Sequence, residues 1–293
     1  KEGKQREQHR CGKGKERFHD GGTSWFSATI KPQYRMQLQE NGSFFVPVPG
    51  CAKIHRTRRP VGRFFTVPRG VFDVNRRQFA KMIDHTQLRA YASEEDIKEL
   101  CEEAVRYGFA TVAVNPVWTS YCARFLKDTP VLVDPCVGFP LGANTAHIKI
   151  EEAREAIRNG AGEVDMVINI GALKSGYRDY VEKEIAAVVK AAGDIPVKVI
   201  LETSYLNDDE KIEVCEMSLR ARAAFVKTST GFGNGGATVE DVHLMHRIVG
   251  SQMGIKAAGG VRTCEDALAL IKAGATRIGT SAGIDIIEAF PEA

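Results

Sequence analysis

Residues Ile255 to Ser281 read IKAAGGVRTCEDALALIKAGATRIGTS. A short β-rich apolar run (Ile255–Val261) ends in a glycine pair. Thr263 with Glu265 and Asp266 then forms a helix start: the hydroxyl takes an orphan backbone N–H, and the acids favour the positive helix end. Cys264, Ala267, Leu268 and Ile271 follow at helical spacing, Gly274 stands where the helix should stop, and Arg277–Ser281 opens a second strand. This is one strand–helix–strand unit, and the same unit recurs upstream. Strands are expected at Met82–Leu88, Thr111–Asn115, Val131–Phe139, Glu163–Asn169, Val197–Thr203 and Phe225–Thr230, which makes eight in all. Their centres lie about 28 residues apart, the length of a strand plus a crossover helix. Ile97, Leu100, Cys101, Ala104 and Val105 mark a helical apolar face. Ser93-Glu94-Glu95-Asp96 and Thr238-Val239-Glu240-Asp241 repeat the cap, and Gly108, Gly160, Gly193 and Gly250 repeat the stop.

Eight alternations predict an α/β fold with a parallel sheet covered by helices, either a (β/α)8 TIM barrel or an open doubly wound sheet. No G-x-G-x-x-G follows the first strand, which disfavours a dinucleotide-binding sheet. The barrel is therefore the expectation for residues 76–293, and its active site is expected at the C-terminal ends of the strands.

Upstream of this body the composition changes. Residues 1–78 hold 17 Lys and Arg against 6 Asp and Glu, whereas the remainder is acidic by eight charges. With no sustained apolar period, residues 1–75 are expected to form a largely disordered basic extension. A solvated tail is the expectation for this extension and nucleic acid is not an expected partner; only this basic arm, through runs such as His55-Arg56-Thr57-Arg58-Arg59, offers it a surface. The chain is 43% hydrophobic, an ordinary globular value, and contains no apolar stretch of the ~18 residues a membrane span needs. Its seven cysteines lack any C-x-x-C pair, which argues against a disulfide framework or a cysteine zinc site and suits a reducing, cytoplasmic compartment. His243 and His246, three apart on a helix, have no third ligand near them in sequence, and no metal site is expected.

Charges inside the strands carry the chemistry. Strands covered on both faces should be nearly all apolar, yet Asp84, Asp165, Lys198, Glu202, Lys227 and Lys256 interrupt them. Such groups must be paired or must face a wet cavity. Lys227 and Lys256 fall on sequential strands, neighbours in a barrel, where two ammonium groups lower at least one pKa. An amine so depressed is a nucleophile able to form a Schiff base with a carbonyl. Asp165 is placed to move protons, directly or through water. Lys198 and Glu202 share i, i+4 parity and are expected to pair as support. Three glycine-bearing segments follow the last three strands: Thr230-Gly231-Phe232-Gly233-Asn234-Gly235-Gly236, Gly259-Gly260-Val261-Arg262 and Gly279-Thr280-Ser281. Their backbone N–H groups can approach an anion, which suggests a phosphorylated aldehyde or ketone.

Phe225-Val226-Lys227-Thr228-Ser229-Thr230-Gly231, Lys256-Ala257-Ala258-Gly259-Gly260-Val261-Arg262, Glu163-Val164-Asp165-Met166-Val167 and Ile83-Asp84-His85-Thr86 together resemble the deoxyribose-phosphate aldolase family, from about Phe79 to Ile287. The resemblance implies a metal-independent class I aldolase with no cofactor. Such an enzyme interconverts 2-deoxy-D-ribose 5-phosphate with D-glyceraldehyde 3-phosphate and acetaldehyde in deoxynucleoside breakdown. It implies Lys227 as the Schiff-base lysine, Lys256 as the second lysine and Asp165 as the acid/base carboxylate. Asp84 and Thr86 match the site wall, and Asn115 a variable position near the substrate. Gly231, Gly259, Gly260, Gly279 and Ser281 match substrate and phosphate contacts, with Lys198 and Thr230 behind them. A homo-oligomer, dimer or tetramer, is implied as well. Phe232 stands where some members carry a lysine toward the phosphate, and the chain stops at Ala293, short of the C-terminal tyrosine of some members, for which slower catalysis or a shortened chain is the expectation. The alternatives are a class I aldolase or transaldolase-like barrel for another phosphorylated sugar, and an idle barrel with a nucleic-acid-binding arm.

Overall fold

The computed structural model describes residues 74–291, together with the backbone of a two-residue antiparallel ladder in which Gln37 and Leu38 pair with Phe45 and Phe44. The chain divides into two compact units, residues 1–59 and 60–293. Apart from that ladder and residues 74–75, the expectation of disorder over 1–75 falls outside the described residues.

Eight parallel strands close into a barrel in sequence order. They are β1 (Ile83–Gln87), β2 (Thr111–Val114), β3 (Leu132–Val137), β4 (Val164–Val167), β5 (Val197–Ile200), β6 (Phe225–Lys227), β7 (Gly254–Ala258) and β8 (Arg277–Thr280), and β8 pairs back onto β1. The helices are α1 (Arg76–Ala80), α2 (Glu94–Tyr107), α3 (Thr119–Phe125), α4 (Ala146–Arg158), α5 (Ile170–Lys174), α6 (Arg178–Ala192), α7 (Asp208–Ala221), α8 (Val239–Val249), α9 (Cys264–Ala273) and α10 (Gly283–Glu288). This is the expected (β/α)8 architecture. Each strand is shorter than its apolar run, because the residues beyond it turn into the loops of the active end.

Local signals explain the boundaries. Ser93 accepts from the N–H of Asp96, and Asp96 reaches back to the N–H of Ser93 in a reciprocal cap. Thr238 and Thr263 cap α8 and α9 through the N–H groups of Asp241 and Asp266. Gly108 ends α2 in the left-handed conformation. Val105 departs from expectation: it is exposed, at the edge of the α2 apolar face, while Ile97, Leu100, Cys101 and Ala104 are buried.

Alternation of side chains along each strand sorts the molecule into two interiors. Outward-facing residues such as Val112, Val133, Met166, Val199, Val226 and Ile278 join helix residues such as Leu100, Ile185, Val188, Val214 and Met245 in one continuous apolar layer. Each fully buried aliphatic side chain there contributes roughly 1.5–3 kcal/mol. The inward positions are different: Asp84, Asp134, Asp165, Lys198, Lys227, Lys256 and Arg277 all point into the lumen. Contacts between opposite sides of the ring, such as Lys256 on β7 with Asp134 on β3, can only pass through that lumen.

Candidate active site

Strand register brings the two lysines together. Lys227 and Lys256 are direct partners on β6 and β7, and Asp165 is opposite Lys198 on β4 and β5. Lys227 Nζ lies 2.6 Å and Lys256 Nζ 2.8 Å from the same oxygen, Asp165 Oδ2. The ammonium groups therefore meet on a shared carboxylate. Lys227 is the last residue of its strand, at the C-terminal end where the barrel opens, and the loop that follows begins directly at Thr228.

Below it runs a lattice of ion pairs. Lys256 also approaches Asp84 at 2.7 Å and Asp134 at 2.9 Å. Lys198 is 2.6 Å from Asp134, 2.7 Å from Glu163, 3.0 Å from Asp165 and 3.8 Å from Asp84. At the N-terminal end of the strands, Arg277 binds Asp84 at 2.6 Å and Glu163 at 2.9 and 3.1 Å, and its guanidinium lies 5.1 Å from the centre of the Phe225 ring. All eight groups are buried. Four cations face four carboxylates, so the lumen is neutral as a whole, which is what makes burying so many charges tolerable.

These neighbours set the ionisation of each group. Burial pushes the Asp165 carboxyl up, but Lys198, Lys227 and Lys256 outweigh it and hold it well below the usual range. Burial likewise opposes Asp84 and Glu163, yet Arg277 and the lysines keep both lowered. Asp134 goes the other way: burial and the neighbouring Asp165 charge outweigh Lys198 and Lys256 and push it up to about 6. Burial lowers Lys256, but Asp134, Asp165 and Asp84 together raise it well above its ordinary value, and Asp134, Asp165 and Glu163 do the same for Lys198. The pKa depression expected between the paired lysines thus does not fall on Lys256, because three carboxylates surround it.

The expected Lys198–Glu202 pair is replaced by other contacts. Strand β5 ends at Ile200, and Glu202 adopts a left-handed backbone (φ 56°), so side-chain parity is lost between the two. Lys198 belongs to the lumen. Glu202 instead accepts from the N–H of Thr230 at 3.1 Å and from the Thr230 hydroxyl. It thereby fixes the start of the glycine loop after β6. Thr230 in turn accepts from the N–H of Phe232 at 3.0 Å, and the Phe232 ring meets Phe139 edge-on at 5.4 Å.

The glycine segments converge at the mouth. A Cβ on Gly236 would lie 2.2 Å from the carbonyl oxygen of Gly259, and Gly259 itself holds φ +91°, so these two loops approach backbone to backbone as only glycine allows. Gly231 (φ +85°) packs beside Gly259, and Gly260 faces open space. Gly279 lies inside the ring, where a Cβ would come within 2.9 Å of Lys256 Cε; its absence makes room for that lysine. Thr86 donates its hydroxyl to the Asp84 carbonyl, and Thr86 and Ser281 both line a polar pocket of about 210 Å³ between β1, α2 and β8. Asn115 Nδ2 donates to Leu88 O at 3.2 Å.

Asp134, Glu163 and Arg277 are site-building residues not singled out from the sequence, although a charge inside Val131–Phe139 was a usable signal for Asp134. Oxygens of Asp84, Asp134 and Glu163 come within 4.8 Å of one another, a spacing that suits a cation. Lys198 already lies against all three, and Arg277 against two, so protein ammonium and guanidinium groups take the positions a metal ion would occupy.

A lysine at the mouth of a (β/α)8 barrel, sharing a buried carboxylate with a second ammonium beside glycine-rich loops, is an arrangement suited to amine–carbonyl chemistry of the kind a barrel lyase performs. The model of the DeoC/LacD family aldolases matches residues 78–289. The chain is 61% identical over 212 residues to the deoxyribose-phosphate aldolase of Caldanaerobacter subterraneus subsp. tengcongensis, spanning 71% of this chain and 92% of that one. It is 59% identical to that of Thermoanaerobacter sp. strain X514, spanning 71% of this chain and 95% of that one. Among solved structures, the tetrameric deoxyribose phosphate aldolase of Aeropyrum pernix superposes with a TM-score of 0.70 at 34% identity, over 74% of this chain and 92% of that one. The chain belongs to the DeoC/LacD family of aldolases.

Proposed function

We propose that this aldolase cleaves 2-deoxy-D-ribose 5-phosphate by a Schiff base on Lys227. The amine of Lys227, in its neutral form, adds to the C1 aldehyde of the open-chain sugar, and loss of water gives an iminium. Asp165 takes the proton of the 3-hydroxyl, directly or through water. The C2–C3 bond breaks, its electron pair flows into the iminium, and D-glyceraldehyde 3-phosphate leaves. The remaining enamine is protonated at C2, with Asp165 and the charged Lys256 supplying and orienting the proton. Water then releases acetaldehyde and restores the amine. The backbone N–H groups around Gly231, Gly259 and Gly260, with Ser281, receive the phosphate, while Asp84, Thr86 and Asn115 shape the wall.

The observation that carries this reading is the convergence of Lys227 and Lys256 on one oxygen of Asp165 at the open end of the barrel. The test is a cleavage assay on deoxyribose 5-phosphate beside fructose 1,6-bisphosphate, with Lys227→Ala as control. Deoxyribose 5-phosphate is turned over and the variant is inactive. Equal or faster cleavage of the bisphosphate would assign the barrel to another sugar. The similarity to the tetrameric Aeropyrum pernix protein supports a homo-oligomer, dimer or tetramer. A cytoplasmic setting accords with the small phosphorylated substrate. Among the described residues no helix is long and apolar enough to cross a membrane.

A further inference from the structure

Asp134 touches neither Lys227 nor the mouth, yet it contacts both ammonium groups that hold Asp165 from below. Lys256 Nζ is shared between Asp134 Oδ2 (2.9 Å) and Asp165 Oδ2 (2.8 Å), and Lys198 Nζ between Asp134 Oδ2 (2.6 Å) and Asp165 Oδ1 (3.0 Å). The two carboxylates therefore compete for the same two cations. Asp134 is fully buried, and its second oxygen, Oδ1, has no hydrogen-bond partner among the described residues, so it is open to a proton. We propose that Asp134 is a positioning residue that tunes the basicity of Asp165 by sharing Lys198 and Lys256 with it, and that its charge state governs the acid limb of turnover. The proposal rests on the Lys227 and Asp165 roles given above.

The physics is a competition within one neutral cluster. While Asp134 is an anion, it draws part of the field of both lysines, and Asp165 is a stronger base than it would be beside a neutral Asp134. Once Asp134 is neutral, Lys198 and Lys256 bear on Asp165 alone. The cluster gains one net positive charge, and Asp165 becomes a weaker base. The surrounding ionisable groups do not share this behaviour. Asp84 on β1, Asp165 on β4 and Glu163 just before it are held ionised by their cations. Lys198 on β5, Lys256 on β7 and Arg277 on β8 are held charged by their carboxylates. Cys136, on the same strand, is pushed up to about 12 by burial and stays a thiol. Lys227 on β6 meets Asp165, not Asp134. Of the four lumen carboxylates, Asp134 alone changes charge near pH 6.

The experiment is the pH profile of kcat and KM for deoxyribose 5-phosphate cleavage, in the wild type and in Asp134→Asn. The wild type shows an inflection in kcat near pH 6. The variant lacks it, and its kcat stays about tenfold down at neutral pH, level with the low-pH arm of the wild type, while KM moves by less than twofold because Asp134 does not reach the mouth. A variant that retains the inflection, or the full kcat, overturns the proposal. Should the variant fail to fold, the wild type decides: the Asp134 carboxyl carbon, followed by 13C NMR, titrates together with kcat. An Asp134 that stays ionised through the kcat inflection overturns the proposal just as plainly. A wild type that does not cleave the sugar, or a Lys227→Ala variant that still does, would instead overturn the underlying reading.

Discussion

Lys198 and Glu202 stand four residues apart in the chain but serve different ends of the site. One joins the lumen charges; the other holds Thr230 at the root of the glycine loop. The left-handed turn at Glu202 separates them, and no alternation rule applied to the apolar run Val197–Thr203 reveals such a turn. Lys227, Lys256 and Asp165 were legible because a charge in the middle of a doubly covered strand is costly enough to demand a reason. Glu163 and Arg277 were not, since each lies at the N-terminal edge of its strand, where a charge ordinarily reaches solvent. Asp165→Asn should lower kcat by about 10²–10⁴-fold, the range of a lost acid/base group. Gly236→Ala tests the cradle separately. Its methyl would meet the Gly259 carbonyl at 2.2 Å, so the two loops must part. KM for deoxyribose 5-phosphate should rise about tenfold or more, and the backbone clash should also lower the unfolding midpoint. An unaltered KM would remove this loop from phosphate binding.

At the level of elements, strand count, order and helix starts were readable from apolar period and capping residues, because each signal is local. The device that fixes β4 from outside the barrel was hidden. Lys149 on α4 and Glu184 on α6 form a fully buried ion pair at 2.9 Å. Lys149 also donates to the Val167 carbonyl at 2.8 Å, and Glu184 accepts the N–H of Asn169 at 3.0 Å. The end of the strand that carries Asp165 is thus clamped by two helices. In sequence each residue looks like an ordinary polar helix position, since only tertiary packing buries them. Lys149→Met alone should cost about 3–5 kcal/mol by leaving Glu184 unpaired, and Lys149→Met with Glu184→Leu should recover much of that. Denaturant unfolding measures both. Strict additivity of the two changes would contradict the pairing.

For the whole molecule, the closed ring turns eight scattered charges into one neutral cluster, and stability should follow its titration. Asp84, Glu163 and Asp165 have lowered pKa values, so their contribution is fully present above the unfolded carboxylate range and is lost as pH falls below it through their lowered native values. Asp134 is raised to about 6, so its contribution has the opposite sign: it is fully present below the unfolded value of about 3.9 and is lost as pH rises through 6. Buried His85 has a lowered pKa and opposes Asp134 over the same range, so the Asp134 contribution is read against Asp134→Asn: from pH 7 to 5 the wild type should gain on the order of 1 kcal/mol relative to the variant in thermal unfolding, before both collapse below about pH 4. A stability difference between wild type and variant that stays flat from pH 7 to 5 would contradict the assignment of Asp134. The central claim, that the amine at the open end of β6 carries the substrate, is tested most directly by incubating the full chain with acetaldehyde and borohydride and mapping the product by peptide mass. A stable two-carbon adduct on Lys227 is the predicted result. An adduct confined to Lys256 or Lys198, or none at all, would contradict it.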